Sequence, residues 1–146
     1  MITEIPFVEI YDIWNQYLWP NRQSKIESNS AMVFLGGYNI ANMNFKPTFI
    51  AYKDNNKIVG VNSGHKCVDN SYRSRGLYVL PEYRKKGIGV ALLRQTIKNA
   101  RNENCEFVWS YPKQSSWNTY SIAGFNLAGD WHQSELDTNA YCKLVF

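Results

Sequence analysis

Leu77–Ala91 reads LYVLPEYRKKGIGVA, and the order of residue types within it decides the fold. Leu77, Tyr78 and Val79 favour a strand, and Pro81 ends it. Arg84-Lys85-Lys86-Gly87-Ile88-Gly89 is a basic turn punctuated by glycine, and apolar residues at helical spacing follow. The order is strand, tight loop, helix. Backbone N–H groups at the start of such a helix have no intrahelical partner, and the helix dipole adds partial positive charge there. Glycine allows close backbone approach to a ligand, and three cations flank the place. A phosphate-bearing molecule suits this combination. A plain turn explains it less well, because glycine at a helix start costs stability that some other requirement must offset.

Upstream of this stretch, Thr48 to Tyr52 and Lys57 to Val61 read as short strands joined by Asp54-Asn55-Asn56, a hairpin signal. Phe7 to Leu18 has its apolar residues at helical spacing, and Trp19-Pro20 ends it. Asn21 to Ser30 is polar and suits a loop or a short second helix. Gly36-Gly37 and Pro47 bracket an irregular, aromatic-rich stretch. Tyr72 to Leu80 reads as a third strand and Gly89 to Ala100 as a helix. Glu106 to Tyr111 is a strand, and Ser115 to Ile122 a short helix stopped at Gly124. Phe125 to Trp131 and Tyr141 to Phe146 are the last two strands. This order describes a mixed α/β sandwich in one domain spanning residues 1–146.

Composition narrows the function classes. A chain of 146 residues with 45% hydrophobic and 19% charged residues has enough core to fold unaided. Its net charge of +4 is concentrated in the loop and the helix after it, through Arg84, Lys85, Lys86, Arg94, Lys98 and Arg101. A local cluster fits an anionic small molecule, whereas a nucleic-acid partner calls for a broad basic face, so none is expected. Cys67, Cys105 and Cys142 show no zinc-binding spacing, so no metal is expected and reduced, partly buried thiols are. The first ten residues lack a basic segment and a long apolar run, and no apolar stretch approaches the ~18 residues of a membrane span. A cytoplasmic protein without membrane attachment is the expectation.

Val79-Leu80-Pro81-Glu82-Tyr83-Arg84-Lys85-Lys86-Gly87-Ile88-Gly89 resembles the acetyl-CoA signature of the GNAT superfamily of N-acetyltransferases, R/Q-x-x-G-x-G/A after a strand ending V-x-P-E-Y/F-R. The Lys57-Ile58-Val59-Gly60 hairpin upstream and Tyr120-Ser121-Ile122-Ala123-Gly124-Phe125 downstream, similar to the family's Y-x-x-x-G-F, extend the resemblance over residues 48–127. It implies a mostly antiparallel, twisted central sheet splayed at the cofactor site, with helices on both faces. It also implies acetyl-CoA as donor and an amine of a small molecule or peptide as acceptor, attacked directly and without a covalent enzyme intermediate. Leu77, Tyr78 and Val79 would offer main-chain groups to the pantetheine arm, as an added strand does. Arg84 and Lys85 to Val90, including Lys86, Gly87, Ile88 and Gly89, would hold the pyrophosphate.

Tyr120 falls where family members carry the tyrosine that protonates the CoA sulfur, and a backbone N–H near Val79 suits the developing oxyanion. Two departures stand out. Lys113 replaces an asparagine seven residues before Tyr120, with Asn118 or Ser115 as substitutes. Val108 occupies the position of a catalytic glutamate, leaving Glu106, acting through water, as a weak alternative. No base is assignable from sequence. Trp14, Trp19, Tyr38, His65, Tyr111, Trp131 and His132 belong to the regions expected to build the acceptor pocket, and Glu135 and Asp137 beside His132 hint at a cationic acceptor. The missing base keeps open a second function, a non-catalytic CoA or acyl-CoA-binding module that senses cofactor or docks a partner. A homodimer is also left open.

Overall fold

The computed structural model describes residues 1–20, 45–134 and 137–146. Its first element, strand β1 (Ile2–Ile5), escapes the sequence reading because four residues are too few to show alternation. Helix α1 (Phe7–Ile13) continues into a π turn at Trp14–Leu18, and the two together fill the expected helical stretch. Strand β2 (Thr48–Asp54) pairs antiparallel with β1, and β3 (Lys57–Lys66) pairs antiparallel with β2. Their connection is a two-residue hairpin in which Asn55 and Asn56 both take positive φ, 48° and 67°. Both strands outrun their sequence-based limits, β3 by five residues. The polar stretch Asn21–Ser30, the Gly36-Gly37 pair and Tyr38 lie outside the described residues.

Strand β4 (Ser71–Val79) pairs antiparallel with β3, a 3-10 turn at Pro81–Tyr83 follows, and helix α2 spans Ile88–Asn102. Strand β5 (Phe107–Ser110) lies parallel to β4. A 3-10 turn leads into helix α3 (Trp117–Ala123), which stops at Gly124 in the left-handed conformation, φ 109°. The expected strand from Phe125 to Trp131 shrinks to β6 (Asn126–Leu127). Beyond it, β7 (His132–Gln133) and β8 (Thr138–Asn139) pair with each other in a small separate sheet. Strand β9 (Cys142–Val145) inserts between β5 and β6, so the main sheet runs β1-β2-β3-β4-β5-β9-β6.

Helices cover both faces. On one, Ile10 and Trp14 pack on Phe49, Ala51 and Val61. On the other, Leu92 and Leu93 of α2 lie over Val59, Ile50, Tyr72 and Val108. Each of these leucines is fully buried, which contributes about 1.5–3 kcal/mol apiece. Among the described residues no helix is long and apolar enough to cross a membrane.

Candidate active site

Two devices in β4 shape the site. Between the pairs Ser63↔Arg75 and Val61↔Tyr78, β4 advances three residues while β3 advances two. The extra residue makes a bulge at Gly76, whose φ of 83° suits glycine. Trp14 Nε1 donates to the Gly76 carbonyl at 2.9 Å and fixes the bulge from the α1 side. Beyond it, β4 and β5 part. Among the described residues they pair as a ladder only over Ser71–Arg73 with Phe107–Trp109, and β4 runs on to Val79 without a further ladder pair to β5. Ser110 closes the apex of this fork by donating its hydroxyl to the Ser74 carbonyl at 2.7 Å.

The unpaired edge is where a ligand adds as a strand. Leu77, Tyr78 and Val79 all lie on it and all are partly exposed. The Val79 carbonyl points off the sheet, since the exposed Arg84 side chain reaches it through Nε at 2.8 Å while lying over the Tyr78 ring at 5.2 Å. Arg84 in this state therefore folds back on β4 instead of extending from the loop.

Below the fork, Lys85 (φ 61°) and Gly87 (φ 81°) are left-handed on either side of Lys86, a turn geometry that gathers backbone N–H groups. Gly87 is the N-cap of α2 and no side chain caps the helix, so its first donors face outward. A Cβ added at Gly87 would meet nothing within 4 Å, which leaves room in front of those donors. A Cβ at Gly89 would press on Thr119 Cγ2 at 3.0 Å and approach Val79 and Leu77, so the second glycine serves the packing of α2 on α3 and β4. Ile88 is buried, and Val90 half-buried at the first turn. The open turn, its free donors and the exposed Lys85 and Lys86 fit a diphosphate.

Tyr120 sits deeper. It is 4% exposed, packs edge-on against Phe125 at 5.4 Å, and lies near the Ser110 side chain at the fork apex. Burial drives its phenol well above the ordinary tyrosine value. A polar cluster underlies the fork. Asn62 Nδ2 donates to Ser74 Oγ at 2.8 Å and to Thr96 Oγ1 at 2.9 Å, while Asn62 Oδ1 is buried with no hydrogen-bond partner among the described residues.

Glu106 fails as a base. It lies at the entry of β5, four residues before the apex, and its backbone is tied to Asn70 and Phe146. At ~3.3 Å per residue that is about 13 Å from the fork. Val108 is buried in the core, as its apolar character dictates. Lys113 caps the 3-10 turn and bridges to Asn139, away from the open edge of β4. Ser115 and Asn118 are exposed.

On the α1 face of the fork an aromatic wall assembles. Arg73 lies 4.7 Å over Trp109, Trp109 packs on Tyr141 at 6.0 Å, and Tyr141 on Tyr111 at 4.5 Å. Tyr111 hydrogen-bonds His132. Trp19, beside Trp14, carries Arg75 at 5.3 Å. His65 is buried on β3, with Nδ1 2.9 Å from the Lys66 carbonyl. Trp131 stands apart, edge-on to Trp117 of α3. Glu135 lies outside the described residues. Tyr141, Arg73 and Trp109 went unnamed from sequence; alternation along β5 places Trp109 on the face opposite Ser110, and Arg73 joins it only through the β4–β5 pairing.

Comparison with known proteins bears on this geometry. An acetyltransferase from Staphylococcus aureus Mu50 of the GNAT family is similar over 98% of this chain and 96% of its own, with a TM-score of 0.69 and 16% identity. Nourseothricin acetyltransferase is similar over 68% of this chain and 65% of its own, at TM-score 0.59 and 20% identity. PaiA N-acetyltransferase from Thermoplasma acidophilum, solved with coenzyme A, is similar over 73% and 65%, at 0.58 and 17%. The chain thus spans just under two thirds of the length of the last two. A search of the curated proteins finds no match. The model of the acetyltransferase (GNAT) family matches residues 7–125, from α1 to the residue after Gly124. With that match spanning the fork, the basic turn and Tyr120, the chain belongs to the GNAT family of acetyltransferases, enzymes of acyl transfer.

Proposed function

We propose that the protein transfers an acetyl group from acetyl-CoA to a primary amine of a small molecule or a peptide, by direct attack. The observation that carries this reading is the continuity of the unpaired β4 edge with the left-handed turn at Lys85–Gly87. One feature suits an extended pantetheine arm, the other a diphosphate, and they occur in the order CoA requires. Coenzyme A in the Thermoplasma neighbour supports the same donor class.

The donor supplies an acetyl group activated as a thioester. Leu77, Tyr78 and Val79 orient the arm through main-chain groups, and Lys85, Lys86, Gly87, Ile88, Gly89 and Val90 hold the pyrophosphate. Arg84 joins them once its Nε leaves the Val79 carbonyl. A backbone N–H near Val79 stabilises the oxyanion of the tetrahedral stage. Tyr120, through its position against Ser110, gives a proton to the departing thiolate. Burial makes the phenol a weaker acid, but a thiolate leaving into the same dry cleft is raised by the same effect, so the match is kept. The acceptor enters from the α1 face, where Trp109, Tyr111 and Tyr141 offer an aromatic wall. Reduced surroundings, and hence the cytoplasm, suit the three buried free cysteines.

Thiol release from acetyl-CoA, measured across a panel of amines and peptides, tests the reading alongside calorimetry with CoA. Binding together with acceptor-dependent release is expected. Binding with no release for any amine would leave a CoA-sensing or docking module instead.

A further inference from the structure

Direct attack needs a neutral amine and a destination for the proton it sheds. Neither Val108 nor Glu106 provides one. Tyr111 follows Ser110 immediately, one residue past the end of β5, and strand alternation sets its side chain on the α1 face with Trp109. That is the face from which the acceptor enters. The Tyr111 hydroxyl is hydrogen-bonded to His132 Nε2, and His132 Nδ1 lies 3.0 Å from the Asp130 carbonyl oxygen. A carbonyl only accepts, so in the neutral ring Nδ1 carries the proton and Nε2 turns its lone pair toward the phenol.

Both partners are held in place. Asn139 Nδ2 donates to the Tyr111 carbonyl at 3.1 Å, and the backbone of Lys113 bridges to Asn139, which clamps the β7–β8 hairpin onto the end of β5. The Tyr111 ring lies against both Tyr141 and the His132 imidazole. His132 itself is exposed and so has access to bulk water.

We infer that Tyr111 and His132 form the proton-accepting pair of the transfer reaction, with Tyr111 in contact with the amine and His132 as the base behind it. This rests on the acyl-transfer reading given above. As the C–N bond forms, the amine proton moves to the Tyr111 oxygen while the Tyr111 hydroxyl proton passes to His132 Nε2. The C–S bond breaks and the thiolate takes its proton from Tyr120. The His132 imidazolium then releases its proton to water and the Tyr120 phenolate takes one proton from water, so the cycle closes without any change of oxidation state.

The bland account is that the Tyr111–His132 bond merely pins the hairpin. Three measurements separate the two. Nitrogen NMR of the free wild-type protein should show His132 with Nδ1 protonated and Nε2 bare, and the Nε2 resonance should shift in Tyr111→Phe. His132→Gln should lower kcat by about 100-fold and Tyr111→Phe by about 10-fold, with the Kd for CoA unchanged. Added imidazole should restore part of the His132→Gln rate, which a lost structural bond would not allow. An Nε2-protonated tautomer in the free protein overturns the assignment, and so does wild-type kcat in His132→Gln. Those results leave acyl transfer standing. Absence of acceptor-dependent thiol release in the wild type would instead remove the transfer reading, and the base with it.

Discussion

Gly76→Ala should be among the most damaging single-methyl additions in this protein. Three costs combine. A Cβ at this position would stand 2.5–2.6 Å from Cζ2, Cε2 and Nε1 of Trp14. Carbon contacts relax near 3.5–4.0 Å, so the indole must retreat by about 1 Å. It has nowhere to go, being fully buried between Phe49 and Trp19 at centroid distances of 6.0 and 5.1 Å. Overpacking of that kind costs about 1–3 kcal/mol. Alanine held at the φ of 83° found here adds about 1–2 kcal/mol. Displacing the ring also breaks the Trp14–Gly76 hydrogen bond, for about 1 kcal/mol. The sum is about 3–6 kcal/mol, against a whole-domain stability of about 5–15 kcal/mol. With a urea m-value of about 2 kcal/mol/M, the midpoint should fall by about 2 M, read by tryptophan fluorescence. A Trp14→Phe change in the Gly76→Ala background removes the crowding atoms, so the double variant should be less damaged than the sum of the singles. A Gly76→Ala midpoint indistinguishable from wild type would refute the reasoning. Strict additivity would show that the indole contact is not the cause.

Three further outcomes are expected. Gly87→Glu sets a carboxylate into the open space before the α2 donors, so CoA should bind at least about tenfold more weakly by calorimetry. Gly87→Ala, which strains the same φ without adding charge, should lose stability while keeping more of its affinity, and equal CoA binding by wild type and Gly87→Glu would sink the pyrophosphate assignment. Tyr120→Phe should reduce kcat by about 100-fold and leave the CoA Kd alone, and unchanged turnover with several amines would remove Tyr120 as the acid. Stability should hold to about pH 9 and decline above it. Burial raises Tyr72 and Tyr120 above the ordinary tyrosine value and pushes the Cys142 thiol up to about 12. Between the unfolded and folded pKa values the unfolded chain binds fewer protons, so unfolding gains with rising pH, by up to about 1.4 kcal/mol per unit for each such group. Cys142→Ala should flatten the urea midpoint between pH 9 and 12, and an unaltered slope would contradict this origin.

The donor side of the site was written locally in the sequence. Leu77–Ala91 is contiguous, and each of its signals (strand formers, proline, paired glycines, apolar period) acts within a few residues. The same holds for Asn55-Asn56 and for Gly124, whose left-handed backbone is a short-range property. The proposed acceptor side is different. Tyr111 and His132 are 21 positions apart and meet only because β9 threads between β5 and β6 and the β7–β8 pair folds back. No spacing announces that. Strand β1 is legible only through β2, which supplies its partners. The strand expected from Phe125 to Trp131 shrank because only Asn126 and Leu127 find a neighbour in β9.

Gly76 shows how one residue outside every motif governs both sides. Before it, Arg73 and Arg75 turn to the α1 face, toward Trp109 and Trp19. Unbroken alternation would send Leu77 and Val79 the same way. The bulge inserts one residue and exchanges the faces, as a single-residue slip must. Leu77 and Val79 now approach Gly89 of α2, and Tyr78 turns to the α1 side to stack on Tyr17 at 5.6 Å. The donor half of β4 is thereby coupled to the turn before α2, and the apex half to the aromatic wall. Trp14, bonded to the Gly76 carbonyl, ties that exchange to the α1 core. Deleting Gly76 would therefore redirect Leu77, Tyr78 and Val79 together. CoA affinity should then fall even though every residue of the basic turn is intact, and CoA binding unchanged in a folded deletion variant would show that the bulge does not set the donor edge.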